Sequence, residues 1–260
     1  MKTSLPLILI TNDDGITSRG IKKLVELVTP LGEVVIVAPD SPQSGMGHAI
    51  TVGDTLRLKQ NFLFGGITAY ECSGTPADCV KLATHEVEKK RKFDLVISGI
   101  NHGSNTSISV LYSGTMSAAM EGAIEGIPSI GISLCDYSEN ANLDHFDTEV
   151  TNIFKNALSN GIPAGIALNI NIPKFNNEPI QGIEVCRQSK ASWEDQFEKR
   201  TDPFGRDYFW MNGKFTNRDN KRDHDEDKIA SNKISIVPCQ FDMTAYASIP
   251  ILKNKWGLGQ

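Results

Sequence analysis

The chain has no apolar run long enough to span a membrane. None approaches the ~18 residues a crossing helix requires. The early run Leu5 to Ile10 is also too short for a signal-peptide core, and no small-residue cleavage site precedes the acids that follow it. There is no basic excess either. With 26 Lys and Arg against 31 Asp and Glu, the net charge is −5, so no broad cationic face for nucleic-acid polymers or anionic lipid is expected, and a phosphate ligand must be caught locally. Paired cysteines are missing as well. Cys72, Cys79, Cys135, Cys186 and Cys239 are scattered singly with no C-x-x-C, an odd set that argues against a disulfide framework or a thiolate zinc site. Reduced thiols in a cytoplasmic protein are the expectation. Internal repeats and low-complexity segments are absent. What remains, 260 residues of which 40% are hydrophobic and 22% charged, suits one compact domain with a smaller appendage.

Through the first 170 residues, strand-length apolar runs alternate with helical spacing. Leu5 to Ile10, Val34 to Val37, "FDLVISG", "PSIGISL" and "GIALNINIP" read as strands. Between them, the spacing of Ile21, Leu24, Val25, Leu27 and Val28, the Pro76-led "PADCVKLATHEVEKK", the small-residue "SGTMSAAMEGAIEG" and residues 148–159 read as helices. Such alternation predicts an α/β fold: a Rossmann-like, mainly parallel sheet with helices on both faces and ligands outside the carboxyl ends of its strands. The pattern breaks near residue 187, so residues 1–187 are predicted as the core and 188–260 as a hairpin and C-terminal oligomerisation segment with a final core strand, "ISIVP". In "RDYFWMNGKF", Asn212-Gly213 predicts a type I′ hairpin turn. Tyr208, Phe209, Trp210 and Phe215 are more aromatic surface than two strands can bury on each other, so packing on the main body or another subunit is expected. The charged "NRDNKRDHDEDK", residues 217–228, reads as a solvated loop.

Three segments could carry chemistry, and all leave the same edge of the predicted sheet. In "ILITNDDGITSRGI", Asp13 and Asp14 stand side by side at a strand end, where mutual repulsion raises one pKa unless a cation offsets it. Hard oxygen ligands select Mg²⁺, Mn²⁺ or Ca²⁺, and Gly15 allows the sharp turn that points both at one spot. The plainer alternative is a turn with Asp13 capping the next helix. The second, "APDSPQSGMGHAIT", offers Ser41, Ser44, Gly45, Gly47 and His48 for a phosphate or a metal shell, or is an ordinary surface loop. The third, "SGINHGSNTSISVLYSGTMSAAMEG", supplies Asn101 and Asn105, then Ser113-Gly114-Thr115 at a helix start. There, free N–H groups and the dipole favour an anion, and a simple Ser or Thr cap is the alternative.

Together with "SGTPADCVKLA", these motifs resemble the SurE family of survival-protein nucleotidases over residues 7–134, in order. The resemblance implies a divalent-metal-dependent phosphatase acting on nucleoside 5′- and 3′-monophosphates. It implies one Mg²⁺, Mn²⁺ or Co²⁺ per subunit on Asp13, Asp14, Ser44 and Asn101, and phosphate contacts from Asn105, Ser113, Gly114 and Thr115. It also implies a homodimer or homotetramer in which the hairpin and C-terminal segment exchange between subunits. The C-terminal third departs from the family pattern: His224-Asp225 and Asn232-Lys233 stand where a Thr-Asp pair and a Gly-Tyr are usual.

Two routes to hydrolysis stay open, a metal-activated water and a covalent aspartyl nucleophile at Asp13 or Asp14. His48 and His102 could protonate the leaving alkoxide, although an uninvolved loop histidine is the plainer reading of each. Glu121 reads as a packing or polar-face residue. Two rivals remain: a nucleotide-binding regulatory module that does not turn its ligand over, and a glycosyltransferase. The acidic pair argues against the first, because carboxylates facing a phosphate make sense chiefly around a metal. Adjacency of the two acids so early in the chain argues against the second.

Overall fold

The computed structural model describes residues 5–258. Its main sheet has nine strands in the order β3-β4-β2-β1-β5-β6-β7-β11-β8. These are β1 (Leu7–Thr11), β2 (Glu33–Pro39), β3 (Leu58–Gln60), β4 (Thr68–Cys72), β5 (Leu95–His102), β6 (Ser129–Leu134), β7 (Ile166–Ile172), β8 (Ile183–Val185) and β11 (Ile234–Gln240). From β4 to β7 every pairing is parallel, while β3 and β11 run antiparallel to β4 and β7. The short strands β3, β4 and β8 escape sequence reading because they mix polar and apolar residues over three to five positions.

Side-chain alternation decides what each strand packs on. From β1, Ile8 and Ile10 join the core under α1 (Arg19–Val28) and α4 (Asp147–Asn160), with Ile21, Leu24, Val150 and Phe154. Leu7 and Leu9 point the other way, toward α2 (Pro76–Leu82) and α3 (Gly114–Ile124), meeting Val80 and Ala118. Strands with buried residues on both faces therefore read as unbroken apolar runs. The helix starts are locally encoded. Ser18 caps α1 by accepting from the Ile21 N–H, and Thr75 with Asp78 forms a reciprocal capping box at α2, with Pro76 in the first turn.

The hairpin exists, but its turn is not where Asn212-Gly213 predicts. Strands β9 (Ser192–Thr201) and β10 (Asp207–Thr216) pair along their whole length, with Asn212 opposite Gln196 and Gly213 opposite Asp195. The chain reverses instead at residues 202–206. There the Asp202 carboxylate accepts from the Phe204 and Arg206 N–H groups, Pro203 presets φ, and Gly205 takes φ +80. An Asp-Pro-x-Gly turn with two side-chain bonds outcompetes an Asn-Gly pair that would leave β9 without a partner.

The charged segment 217–228 is likewise a solvated loop only in part. His224 and Asp225 are 2% and 1% exposed, and α5 (Asp225–Ala230) begins there. A His224 ring nitrogen accepts from the Asp227 N–H, filling the capping role a threonine hydroxyl would play. Asn232 takes φ +55, so it serves where a glycine is usual. After β11 the chain ends its described course in α6 (Ser248–Trp256), which buries none of its residues.

Candidate active site

Strand β1 lies between β2 and β5, so the order of chain progression reverses beside it and the loops after β1, β2 and β5 open a crevice at the carboxyl edge. Backbone bonds clasp these loops together. The Gln43 N–H donates to the Asp13 carbonyl at 2.8 Å, the Gly47 N–H to the Tyr112 carbonyl at 3.2 Å, and the Ile16 N–H to the Pro39 carbonyl at 2.9 Å. The turn itself is braced by Asn12, whose amide donates to the Gly15 carbonyl and the Ser18 hydroxyl at 2.9 Å each. Gly15, at φ +90, makes the reversal that points both acids into the crevice.

Asp13 is 4% exposed and accepts the Thr115 hydroxyl at the start of α3. The helix comes so close that a Cβ on Gly114 would stand 2.6 Å from the Asp13 Cβ and 2.9 Å from its Oδ2, so only glycine fits there. Burial, together with the charge of Asp14, pushes the Asp13 carboxyl up to about 6 against the lowering pull of Thr115. Asp14 is half-buried and faces the end of β5, where the His102 N–H lies 3.4 Å from its Oδ2 and the His102 Nδ1 lies 3.7 Å away. Asn101 donates its amide to the Gly103 carbonyl at 2.8 Å, which leaves its Oδ1 with no protein donor among the described residues. Ser44 is exposed, one residue beyond the clasp at Gln43.

The fit to a cation rests on donor chemistry. Around the turn, acceptors outnumber donors: two carboxylates, the Asn101 Oδ1 and a buried Asn12 Oδ1 that no donor reaches. Such an acceptor excess suits a hard cation and would be costly without one. Among the described residues no three His, Cys, Asp or Glu side chains converge on a metal position. Two carboxylates with neutral oxygens beside them form a donor set that suits Mg²⁺-type ions better than zinc.

The remaining predicted residues divide. The Ser113 hydroxyl accepts from the Met116 N–H as the α3 cap, the alternative that its sequence position offered. The first-turn N–H groups of Gly114 and Thr115 have no intrahelical carbonyl to bond and face the acidic turn. Asn105 sits deeper, in a polar network that sequence reading missed. Its N–H donates to Asn171, its amide donates to Ser133 at 2.8 Å, and its carbonyl accepts from Asn169. The one available signal was the spacing of Asn169 and Asn171, two residues apart on one face of an otherwise apolar strand. Glu121, expected as a packing or polar-face residue, is 2% exposed, with one oxygen 2.9 Å from the His48 Nε2 and the other 2.6 Å from the Lys81 ammonium, an ion cluster that its position in the sequence does not reveal.

This is a doubly wound α/β protein in which an acidic turn, a Gly/Ser-containing loop and the start of α3 meet at the switch point of its sheet. The family model described as Survival protein SurE matches residues 8–195. A 5′-nucleotidase SurE from Cytophaga hutchinsonii is 60% identical over 97% of this chain and 98% of its own. One from Christiangramia forsetii is 55% identical over 99% of both. Among solved structures, a SurE protein from Aquifex aeolicus superposes with a TM-score of 0.83 at 37% identity, covering 96% of this chain and all of that one. The chain belongs to the SurE family.

Proposed function

We propose that the chain is a divalent-cation-dependent phosphomonoesterase that hydrolyses nucleoside 5′-monophosphates, and 3′-monophosphates as further substrates, to nucleoside and phosphate. The names borne by its relatives support the 5′ activity. The observation that carries the reading is the contact between Asp13, buried and acidic, and the N-terminus of α3. A site for a phosphate alone would place no carboxylate against a helix start, where the two negative groups compete for the same N–H donors.

Asp13, Asp14, Ser44 and Asn101 would hold one Mg²⁺, Mn²⁺ or Co²⁺ per subunit. When bound, the ion supplies Lewis acidity, acidifying water and offsetting charge on the phosphoryl group. The protein's own part is positioning. Thr115 orients Asp13, Asn12 braces the turn, and the Gly114 and Thr115 N–H groups hold phosphate oxygens. Asn105 supports the floor of the site through Ser133 and Asn169. Residues 188–260 are proposed as the oligomerisation segment of a homodimer or homotetramer with exchanged hairpins, a reading supported by the exposure of Phe209 and Trp210 at 60% and 57%. The five free cysteines accord with a cytoplasmic setting.

The test is phosphate release from 5′- and 3′-nucleoside monophosphates by protein stripped with EDTA and then given Mg²⁺, Mn²⁺ or Co²⁺. The expected result is activity only with metal, reduced at least about 100-fold in folded Asp13→Asn and Asp14→Asn, the scale of losing one electrostatic element of a catalytic site. Nucleotide binding without phosphate release would instead make the chain a regulatory module.

A further inference from the structure

The loop after β2 is strapped down at three successive points, to α2 and to the turn before α3, and His48 lies among them. The Gly47 N–H donates to the Tyr112 carbonyl at 3.2 Å, the Thr75 hydroxyl to the Ala49 carbonyl at 2.7 Å, and the Thr51 hydroxyl to buried Asp78 at 2.6 Å. Within that frame the imidazole itself is held. Its Nε2 lies 2.9 Å from Glu121, which is 2% exposed and takes the Lys81 ammonium on its other oxygen at 2.6 Å. A carboxylate so held only accepts, so Nε2 carries the hydrogen of that bond. Nδ1 has no protein partner among the described residues.

Position along α3 gives the free nitrogen a target. Ser113, Ser117 and Glu121 recur every four residues and so share one helix face, and helical side chains lean toward the N-terminus. The ring that meets Glu121 therefore lies over the turn carrying Ser117, and His48, Ser113 and Ser117 line one cavity. One helical turn, about 5 Å, separates that position from the first-turn N–H groups proposed to hold phosphate oxygens. His102, the other loop histidine, has its Nδ1 3.7 Å from Asp14, where a bound cation would repel the protonated ring.

We infer that His48 is the general acid of the reaction, its Nδ1–H protonating the ester oxygen that leaves, and that Glu121 is a positioning residue acting through it. The inference rests on the phosphatase reading. As the attacking oxygen bonds to phosphorus, the P–O bond to the sugar breaks. Its electron pair stays on the sugar oxygen, and that oxygen takes the Nδ1 proton. An alcohol and a neutral imidazole result, and solvent restores the proton because the His48 side chain is 35% exposed.

His48→Gln tests this, because its amide can still donate to Glu121 while supplying no transferable proton. Two substrates separate the possibilities: adenosine 5′-monophosphate, whose leaving alkoxide needs a proton, and p-nitrophenyl phosphate, whose leaving phenolate does not. In the variant, kcat for the nucleotide should fall about 100-fold with KM little changed, the scale of a general acid, while kcat for the nitrophenyl ester falls less than about threefold. Adding Glu121→Gln to His48→Gln should deepen the nucleotide loss little, since its effect passes through the ring. Equal losses for both substrates would make the loop a scaffold and overturn the inference, as would an unchanged nucleotide rate. Should wild type release phosphate from glycerol phosphate and not from nucleotides, the nucleotidase reading fails, and glycerol phosphate, another alkyl ester, takes the nucleotide's place in the same comparison. No release from any ester by metal-loaded wild type would overturn both.

Discussion

Glu121 shows how one residue's role is set by what reaches it. Burial alone would raise its pKa, but hydrogen bonds from His48 and Lys81 together outweigh that and hold it below the ordinary 4.5. A carboxylate whose folded pKa is depressed contributes stability that is fully present above its unfolded value and is lost as pH falls through the folded one. Glu121→Gln should therefore cost about 2 kcal/mol at pH 7, the scale of hydrogen bonds to a charged group. The gap between wild type and variant should begin to narrow below about pH 4.5, the ordinary value at which the unfolded chain takes up the proton, and close as pH falls through the lower value of the folded carboxylate. Urea unfolding of both proteins at pH 7 and at pH 3.5 checks this, and a gap that stays constant would remove the charge from the explanation. Glu121 also orients the His48 imidazole, so the same variant should lose that orientation as well as stability.

Among the elements, α5 depends on a single buried carboxylate. Asp225 accepts from the Ser107, Ser189 and Glu226 N–H groups at 2.8 to 2.9 Å, tying the helix to the turn before α3 and to the segment leading into β9. Alanine there would strand two buried N–H donors, those of Ser107 and Ser189, at about 1–3 kcal/mol each. Asp225→Ala is expected to lower stability by about 3 kcal/mol or more in denaturant titration, whereas Asp223→Ala, on a 61% exposed side chain, should change it little. If the two variants behaved alike, the buried network would not be what holds the segment. The helix was hidden in the sequence because nine of the twelve residues 217–228 are charged and charge runs are usually solvated. The burial of Asp225 follows from donors located 118 and 36 positions away.

The whole molecule leaves much apolar surface unpaired. Phe204, Phe209 and Trp210 on the hairpin, and Ile251 and Trp256 on α6, are between 53% and 83% exposed. The hairpin reaches the body through the Trp193 indole N–H, 3.4 Å from the Ser109 hydroxyl. Exposed aromatic patches of this kind mark association surfaces. Phe209→Asp/Trp210→Asp is expected to shift the species seen in sedimentation velocity toward the monomer while leaving far-ultraviolet circular dichroism of the core unchanged. An unchanged assembly would place the interface elsewhere.

The sequence by itself determined the alternation of strands and helices, the helix caps at Ser18, Thr75 and Ser113, and the presence of an acidic pair, a Gly/Ser loop and a helix start at one sheet edge. Each is written within a few residues: a period of two or 3.6, a capping side chain, or a glycine where the chain must reverse. Only the tertiary structure decided which turn closes the hairpin, where two local signals competed and the side-chain bonds of Asp202 prevailed. Tertiary structure also decided that Glu121 would find His48 across 73 residues, that Asn105 would sink into a polar network with Asn169 and Asn171, and that Asp225 would be buried. Those partners meet because parallel strands with crossover helices bring distant loops to one edge, and no local pattern records that closure.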